Sequence, residues 1–500
     1  MRTQTVTLAT AILALTGAVA DAQPTDELRG LVTTYLYGSG AEKADVLSKL
    51  ADCCGDPIAL VQSCVEKSYG GRSTGKLLDE RFELPYLREL YPEDVLNFLV
   101  PESYDPTQPT GLLILLHGGG WGTPRTVAEN WLREAGEKGG AYHFGTKLAQ
   151  MPYISVAPSN LLIEGCSHRW SLPESDAYLL AVIEEACYRY NIDADRIYLV
   201  GQSMGGFGAY HAVQTIGDRF ATIGAHGGAW RYGFWEGLHG TDFYIIHGFK
   251  DAEVGVRKRN TDVPYARFAS ACLSGYHIPH TYVEHQGGHS FTDPLAREAM
   301  NGFLEALKDR RRDPHPPKVV TASSKGCFKP AASPDFFWVS IDEATAGEFE
   351  LDGMRGYRGS DDPWALDFRH AIQAVEGGVL RATNNGDNTL TVETRNIARF
   401  SLWLHPQMVD FSKPVKIIVD DEVCFEGSVV PSLATVLQSF DRRRDPGMLF
   451  CVRVELELRA GQTTACLTSP APCLTRRWGR RHAAPGLARA DVTQVLNAED

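Results

Sequence analysis

The sequence predicts an α/β fold, a mostly parallel central sheet flanked by helices, followed by a C-terminal all-β, sandwich-like domain. Three observations lead there. Between residues 112 and 307, short apolar runs at 112–116, 153–157, 197–200 and 243–246 alternate with helical patterns such as 176–190. Those runs are continuously apolar rather than alternating, so both faces of each strand are covered, as in a parallel sheet between helical layers. Beyond Pro317 helical patterns give way to β-rich segments at 389–392, 400–404 and 415–419, with Asn384-Asn385-Gly386-Asp387-Asn388 as a turn.

Taken in chain order, the first element is an export signal over residues 1–22. Arg2 leads into an apolar stretch, and Ala18-Val19-Ala20-Asp21-Ala22 offers small residues for cleavage. The expected location is secreted or periplasmic. The apolar run is shorter than the ~20 residues of a membrane helix, and no later segment approaches that length, so no membrane span is expected. Residues 23–80 read as a helical extension, with Leu28, Leu31, Val32, Tyr35, then Val46, Leu47 and Leu50 at helical spacing before Gly70-Gly71 and Gly75 break the pattern. The catalytic domain is expected over 81–308, entered through the extended stretch from Val95 to Val100. Residues 309–330, charged and proline-rich at their start, form a linker. Residues 331–459 form the β-rich accessory domain, and 460–500, rich in Ala, Arg, Pro and Thr without periodicity, a flexible tail.

Composition narrows the function. A chain of 500 residues exceeds what one hydrophobic core supports, so more than one folding unit is expected. A net charge of -13 argues against nucleic acid, because phosphate binding needs a cationic footprint. The runs Arg310-Arg311-Arg312, Arg442-Arg443-Arg444 and Arg476-Arg477 to Arg480-Arg481 read as solvated surface. Eleven cysteines in an exported chain suggest that some form disulfides, with at least one thiol left over. Cys53, Cys54 and Cys64 are the densest group. With no nearby histidine and no second Cys-x-x-Cys pair, they point to a structural disulfide rather than zinc.

The chemistry concentrates at Arg196-Ile197-Tyr198-Leu199-Val200-Gly201-Gln202-Ser203-Met204-Gly205-Gly206. This is a strand running into G-x-S-x-G and then a helix, a nucleophile elbow in which the neighbours of a strained serine must be small. A developing oxyanion needs N–H donors. One is the amide of Met204, and another comes from the turn His117-Gly118-Gly119-Gly120-Trp121, with Gly119 preferred over Gly120. Phe243-Tyr244-Ile245-Ile246-His247-Gly248-Phe249-Lys250-Asp251 ends a strand with a carboxylate at its C-terminal edge, where catalytic groups of open α/β sheets collect. Gly287-Gly288-His289-Ser290 puts His289 in a glycine-permitted loop that can reach over the serine, whereas His277, His280 and His285 fall in a helix end, turn or strand. Trp121, Trp170, Trp230 and Trp235 are candidates to line the substrate pocket, the first two foremost, with core packing as the alternative. No metal or other cofactor is called for.

These motifs resemble the α/β-hydrolase superfamily. Leu199 to Tyr210, Ile246 to Asp251 and Gly287 to Ser290 are similar to polyhydroxybutyrate depolymerase and feruloyl esterase-type esterases and to prolyl oligopeptidase catalytic domains. The resemblance covers roughly residues 95 to 307 and implies an Asp195-Arg196 pair ahead of the nucleophile strand, which is present. No propeller-sized region precedes the hydrolase segment. The order Ser203, Asp251, His289 is the chain order of this superfamily. The expected function is therefore hydrolysis of a small-molecule or polymeric carboxylic ester by a Ser203-His289-Asp251 triad through an acyl-enzyme. Peptide hydrolysis by the same triad is the runner-up. A silent hydrolase fold used for binding, with polysaccharide contact by the β-domain, is the rival from another class.

Overall fold

The computed structural model describes residues 25–50, 56–119, 124–134, 137, 143–161, 170–253, 263–324, 335–358, 366–459 and 462–467. Eight strands build the expected central sheet: β1 (Gly75–Glu80), β2 (Leu96–Val100), β3 (Thr110–Leu116), β4 (Tyr153–Pro158), β5 (Ile192–Gln202), β6 (Thr222–His226), β7 (Asp242–Gly248) and β8 (His280–His285). Their spatial order is β1-β2-β4-β3-β5-β6-β7-β8. β2 runs antiparallel to both its neighbours, and all other pairs are parallel. Within β3, Leu112, Ile114 and Leu116 pack with Tyr178, Val182, Ala209 and Val213 from the helices Pro173–Arg189 and Met204–Thr215. Leu113 and Leu115 pack with Met300, Phe303 and Leu304 of the helix Pro294–Ala306. Both faces are therefore dry, and the strands read as unbroken apolar runs for that reason. All the parallel strands point their C-terminal ends at one edge, and that edge carries Ser203, Asp251 and His289.

After Pro317 two sheets face each other across one core. One contains Lys318–Ser324, Glu348–Arg358, Leu366–Asn384, Thr389–Arg395, Val415–Val419 and Glu422–Gly427; the other contains Asp335–Phe336, Val339–Ala344, Ile397–Leu404, Val452–Arg459 and Gln462–Leu467. Leu380, Leu390 and Ile417 from the first meet Val339, Phe400, Leu402 and Val454 from the second. The sandwich departs from the expected all-β domain in three ways. It includes a helix, Leu433–Arg443. Val32, Leu36 and Val61 of the helices Asp26–Tyr37 and Pro57–Cys64 enter the same core, so the N-terminal extension belongs to the accessory domain. Two short helices expose too much apolar face to stand alone, and the Leu433–Arg443 helix supplies cover. Finally, Gln462–Leu467 pairs with Val452–Arg459, so ordered sheet continues past residue 460. The proposed signal and residues 468–500 lie outside the described residues.

The segment expected to be a linker locks the two domains together. Arg312, fully buried, donates to Asp195 Oδ1 at 2.9 and 3.1 Å, to the Asp218 carbonyl at 3.0 Å and to Asp445 Oδ2 at 2.6 Å. Arg219 Nη1 reaches the same Asp445 oxygen at 3.3 Å. Burial pushes both carboxyls up. Arg312 and Arg219 together bring Asp445 below the ordinary carboxylate value, whereas Asp195, also beside Asp445 and Asp193, stays above it. Arg443 is equally buried, donating to the Phe337 carbonyl and lying 4.8 Å from the Trp403 ring centre. The solvated-surface expectation thus fails at Arg312, whose donors are satisfied inside, and at Arg443, which lies 3.5 Å from Asp335 Oδ1 and over the Trp403 ring although its Nη1 finds no hydrogen-bond partner among the described residues. The expected disulfides are not formed at the cysteines whose side chains are described: Cys64, Cys187, Cys272, Cys424 and Cys451 are free thiols. Cys53 and Cys54 lie outside the described residues. Among those residues no helix is long and apolar enough to cross a membrane.

A stacked pair of half-buried imidazoles, His315 and His405, lies at the same junction with ring centres 4.3 Å apart. Burial lowers His315 to about 3, helped by His405 and Arg312, and lowers His405 to about 4. Both folded values lie below the ordinary 6.5. The neutral forms therefore stabilise the fold in full above about pH 6.5, and that stability is lost progressively as pH falls toward 4 and below, because the unfolded chain takes up the protons first. The denaturation midpoint is expected to fall between pH 6.5 and 4, and His405→Gln to flatten that slope. An unchanged slope in the variant would assign the loss to other groups.

Candidate active site

Ser203 occupies the N-cap of the helix Met204–Thr215 with φ 57° and ψ −118°, a conformation costly to any residue with a side chain. Its surroundings enforce this. A Cβ on Gly201 would stand 2.0 Å from the Gly205 carbonyl oxygen, and one on Gly205 would stand 2.4 Å from that of Leu116. The glycines let β5, the helix and β3 approach until the serine is driven out of the sheet edge. The Ser203 N–H donates to the His226 carbonyl at 3.0 Å, which ties the elbow to the end of β6.

The other two candidate residues meet directly. Asp251 lies in the 3₁₀ turn Phe249–Glu253 that follows β7, and its Oδ2 is 3.0 Å from Nδ1 of His289. The carboxylate accepts, so Nδ1 carries the proton and Nε2 is the ring's free lone pair in the neutral form. Burial raises the Asp251 carboxyl, and hydrogen bonds from His247 and His289 outweigh it, leaving it below the ordinary carboxylate value. The loop that bears His289 is held rather than swinging. Gln202 Nε2, one residue from the serine, donates to the His289 carbonyl at 3.0 Å. Lys250 N–H donates to the Gly287 carbonyl at 3.0 Å, and Gly288 N–H to Asp293 Oδ2 at 2.9 Å. Gly227, at φ 58°, closes the group. A Cβ there would come within 2.9 Å of His289 Nδ1 and 3.5 Å of Asp251 Oδ2. The residue after the serine's own hydrogen-bond partner therefore lies against the His289–Asp251 bond.

Of the expected oxyanion donors, Gly119 and Met204 are neighbours: a Cβ on Gly119 would sit 3.8 Å from Met204 Cβ and Sδ. Gly120 and Trp121 lie outside the described residues. Trp170 is corrected. It is fully buried, donates from Nε1 to the His117 carbonyl at 3.1 Å and packs edge-on to the His117 ring, so it braces the turn after β3 and does not face a ligand. Trp235 is buried too, donating to the Asp352 carbonyl at 3.0 Å. Trp230 is half-buried against the core. It starts a segment that leaves the site for the accessory domain, where Tyr232–Gly233 pairs with Gly353 and Asp352.

Sequence reading missed a set of histidines behind Asp251. β6, β7 and β8 each carry a buried histidine at their C-terminal ends: His226, His247 and His285. His226 and His285 stack with Nε2 atoms 3.3 Å apart, and His247 Nε2 lies 2.9 Å from Asp251 Oδ2. The available signal was one imidazole at the end of each of three adjacent strands. Among the described residues no group of three or more His, Cys, Asp or Glu side chains is arranged to hold a metal ion.

Residues 93–244 match the family model described as a putative esterase. Dipeptidyl-peptidase 5 of Porphyromonas gingivalis is 26% identical over 138 residues, 26% of this chain; the chain spans only 18% of that relative's length. Among solved structures, a thermostable esterase is similar at 19% identity, covering 44% of this chain and 60% of that one with a TM-score of 0.33. A fluorophosphonate-binding serine hydrolase, FphF of Staphylococcus aureus, is similar at 15% identity, covering 43% and 92% with a TM-score of 0.32.

Proposed function

From an α/β-hydrolase sheet whose residues 93–244 match the putative-esterase model, we propose that this chain is a serine hydrolase that cleaves carboxylic esters. The observation that carries the reading is a serine at φ 57° on a helix N-terminus, next in sequence to Gln202, which holds the loop of a histidine whose Nδ1 is bound to a buried aspartate. In this mechanism His289 Nε2 takes the Ser203 proton as Oγ attacks the carbonyl carbon. Asp251 fixes the ring and stabilises the imidazolium. The Met204 and Gly119 amides receive the oxyanion, with the positive end of the Met204–Thr215 helix dipole behind them. His289 then protonates the leaving alkoxide, and water, deprotonated by the same ring, releases the acyl group from Ser203.

Peptide amides are the second substrate class, favoured by the match to a dipeptidyl-peptidase. Export through residues 1–22 belongs to the same reading and suits a polymeric or extracellular ester. Polysaccharide binding by the sandwich would make that domain a targeting module. The experiment is hydrolysis of short p-nitrophenyl acyl esters alongside a peptide amide panel by the purified protein. Faster turnover of esters than of amides at equal concentration is expected. The reverse preference would make the chain a peptidase, and no turnover of either would favour a binding protein.

A further inference from the structure

We infer that His247 is a positioning residue for the proposed triad, the second histidine on Asp251, which holds the acid's carboxylate in register with His289. The inference rests on the hydrolase reading and extends it. Oδ2 of Asp251 takes two imidazole donors, His289 Nδ1 at 3.0 Å and His247 Nε2 at 2.9 Å. A carboxylate oxygen has two in-plane lone pairs, so two donors occupy both and remove the freedom to rotate about χ2. That freedom matters because Asp251 is not on a rigid element. It sits in a single 3₁₀ turn, whereas His247 lies within β7, fully buried and laddered to Glu284 of β8. His247 therefore carries the position of the sheet to the carboxylate, and Asp251 carries it to the ring.

The electrostatics run the same way. Asp251 is 2% exposed in its side chain, and burial alone would favour its neutral form. Two N–H donors on one oxygen keep it charged, and only the charged form can stabilise the imidazolium that forms as Ser203 attacks. The remaining buried imidazoles, His226 and His285, bond to each other rather than to the carboxylate. Their own geometry defines a tautomer: Gly287 N–H donates to His285 Nδ1 at 3.2 Å, so His285 presents Nε2–H to His226. His247 is thus the strand-end histidine assigned to the acid.

The test uses an isosteric pair. Glutamine places an amide nitrogen near the former Nε2 and can still donate, whereas methionine fills the same space without a donor. With a p-nitrophenyl ester as probe, His247→Met is expected to lower kcat roughly 10- to 100-fold with KM within about twofold, and His247→Gln to recover kcat to within about threefold of the parent. Equal losses in the two variants, or a parental kcat in His247→Met, would overturn the inference while leaving the hydrolase reading intact. No turnover by the parent would overturn both. Should His247→Met fail to fold, histidine-¹⁵N NMR of the parent protein decides: the Nε2–H tautomer of His247 supports the role, and the Nδ1–H tautomer overturns it.

Discussion

Replacing Ser203 by glycine is expected to cut ester turnover by at least about three orders of magnitude and, in the same protein, to raise the denaturation midpoint. The first effect follows from loss of the nucleophile: oxyanion donors and binding alone leave only a small residual rate. The second follows from the backbone. At φ 57° and ψ −118° a serine is held where its Cβ is penalised, and glycine is not, so relief of about 1 kcal/mol is expected. Ser203→Ala removes the hydroxyl and keeps the penalty, so it should be equally inactive without the gain in stability. Kinetics on the p-nitrophenyl ester and urea denaturation of the three proteins check both parts. A glycine variant less stable than the alanine variant would mean that the elbow is not strained.

Arg312→Met is expected to be the most damaging single change to the fold, costing about 3–5 kcal/mol, because it leaves Asp445 and Asp195 without their shared buried partner. The volume is nearly kept, so the loss is electrostatic rather than a cavity. Since Asp195 lies in β5 and Asp445 in the accessory domain, unfolding of the two units should separate as the bridge is lost. Calorimetry would show one transition in the parent and two, or one at a lower temperature, in the variant. An unchanged midpoint would mean that the buried network does not couple the domains.

Much of this was legible in the sequence, for identifiable reasons. β3, β4, β5 and β7 could be read because both faces are dry and the runs are unbroken. β6 escaped because its centre is Gly224. A side chain there would meet the Phe303 ring at 2.6 Å, so close packing of the Pro294–Ala306 helix demanded the residue least typical of a strand. The G-x-S-x-G elbow was visible because its geometry tolerates so few residues. Asp251 and His289 were visible because each follows a strand end with glycine nearby. His247 and Arg312 were not, since their roles depend on partners brought in by the fold. An i,i+4 pair across a strand end has no periodic signature, and a run of three arginines reads as solvated until Asp195 and Asp445 are placed around one of them. The Trp170 assignment failed likewise: an indole in the hydrolase segment reads equally as pocket wall or as core, and only the bond from its Nε1 to the His117 carbonyl gives it a bracing role.

The most direct test of the central claim is chemical. A fluorophosphonate reacts with a serine only when a base and an oxyanion site activate it, and peptide mapping finds the modified residue. A single adduct on Ser203, absent from Ser203→Ala and much slower to form in His289→Ala, is the predicted result. No adduct, or one formed at the parental rate without His289, would contradict the triad.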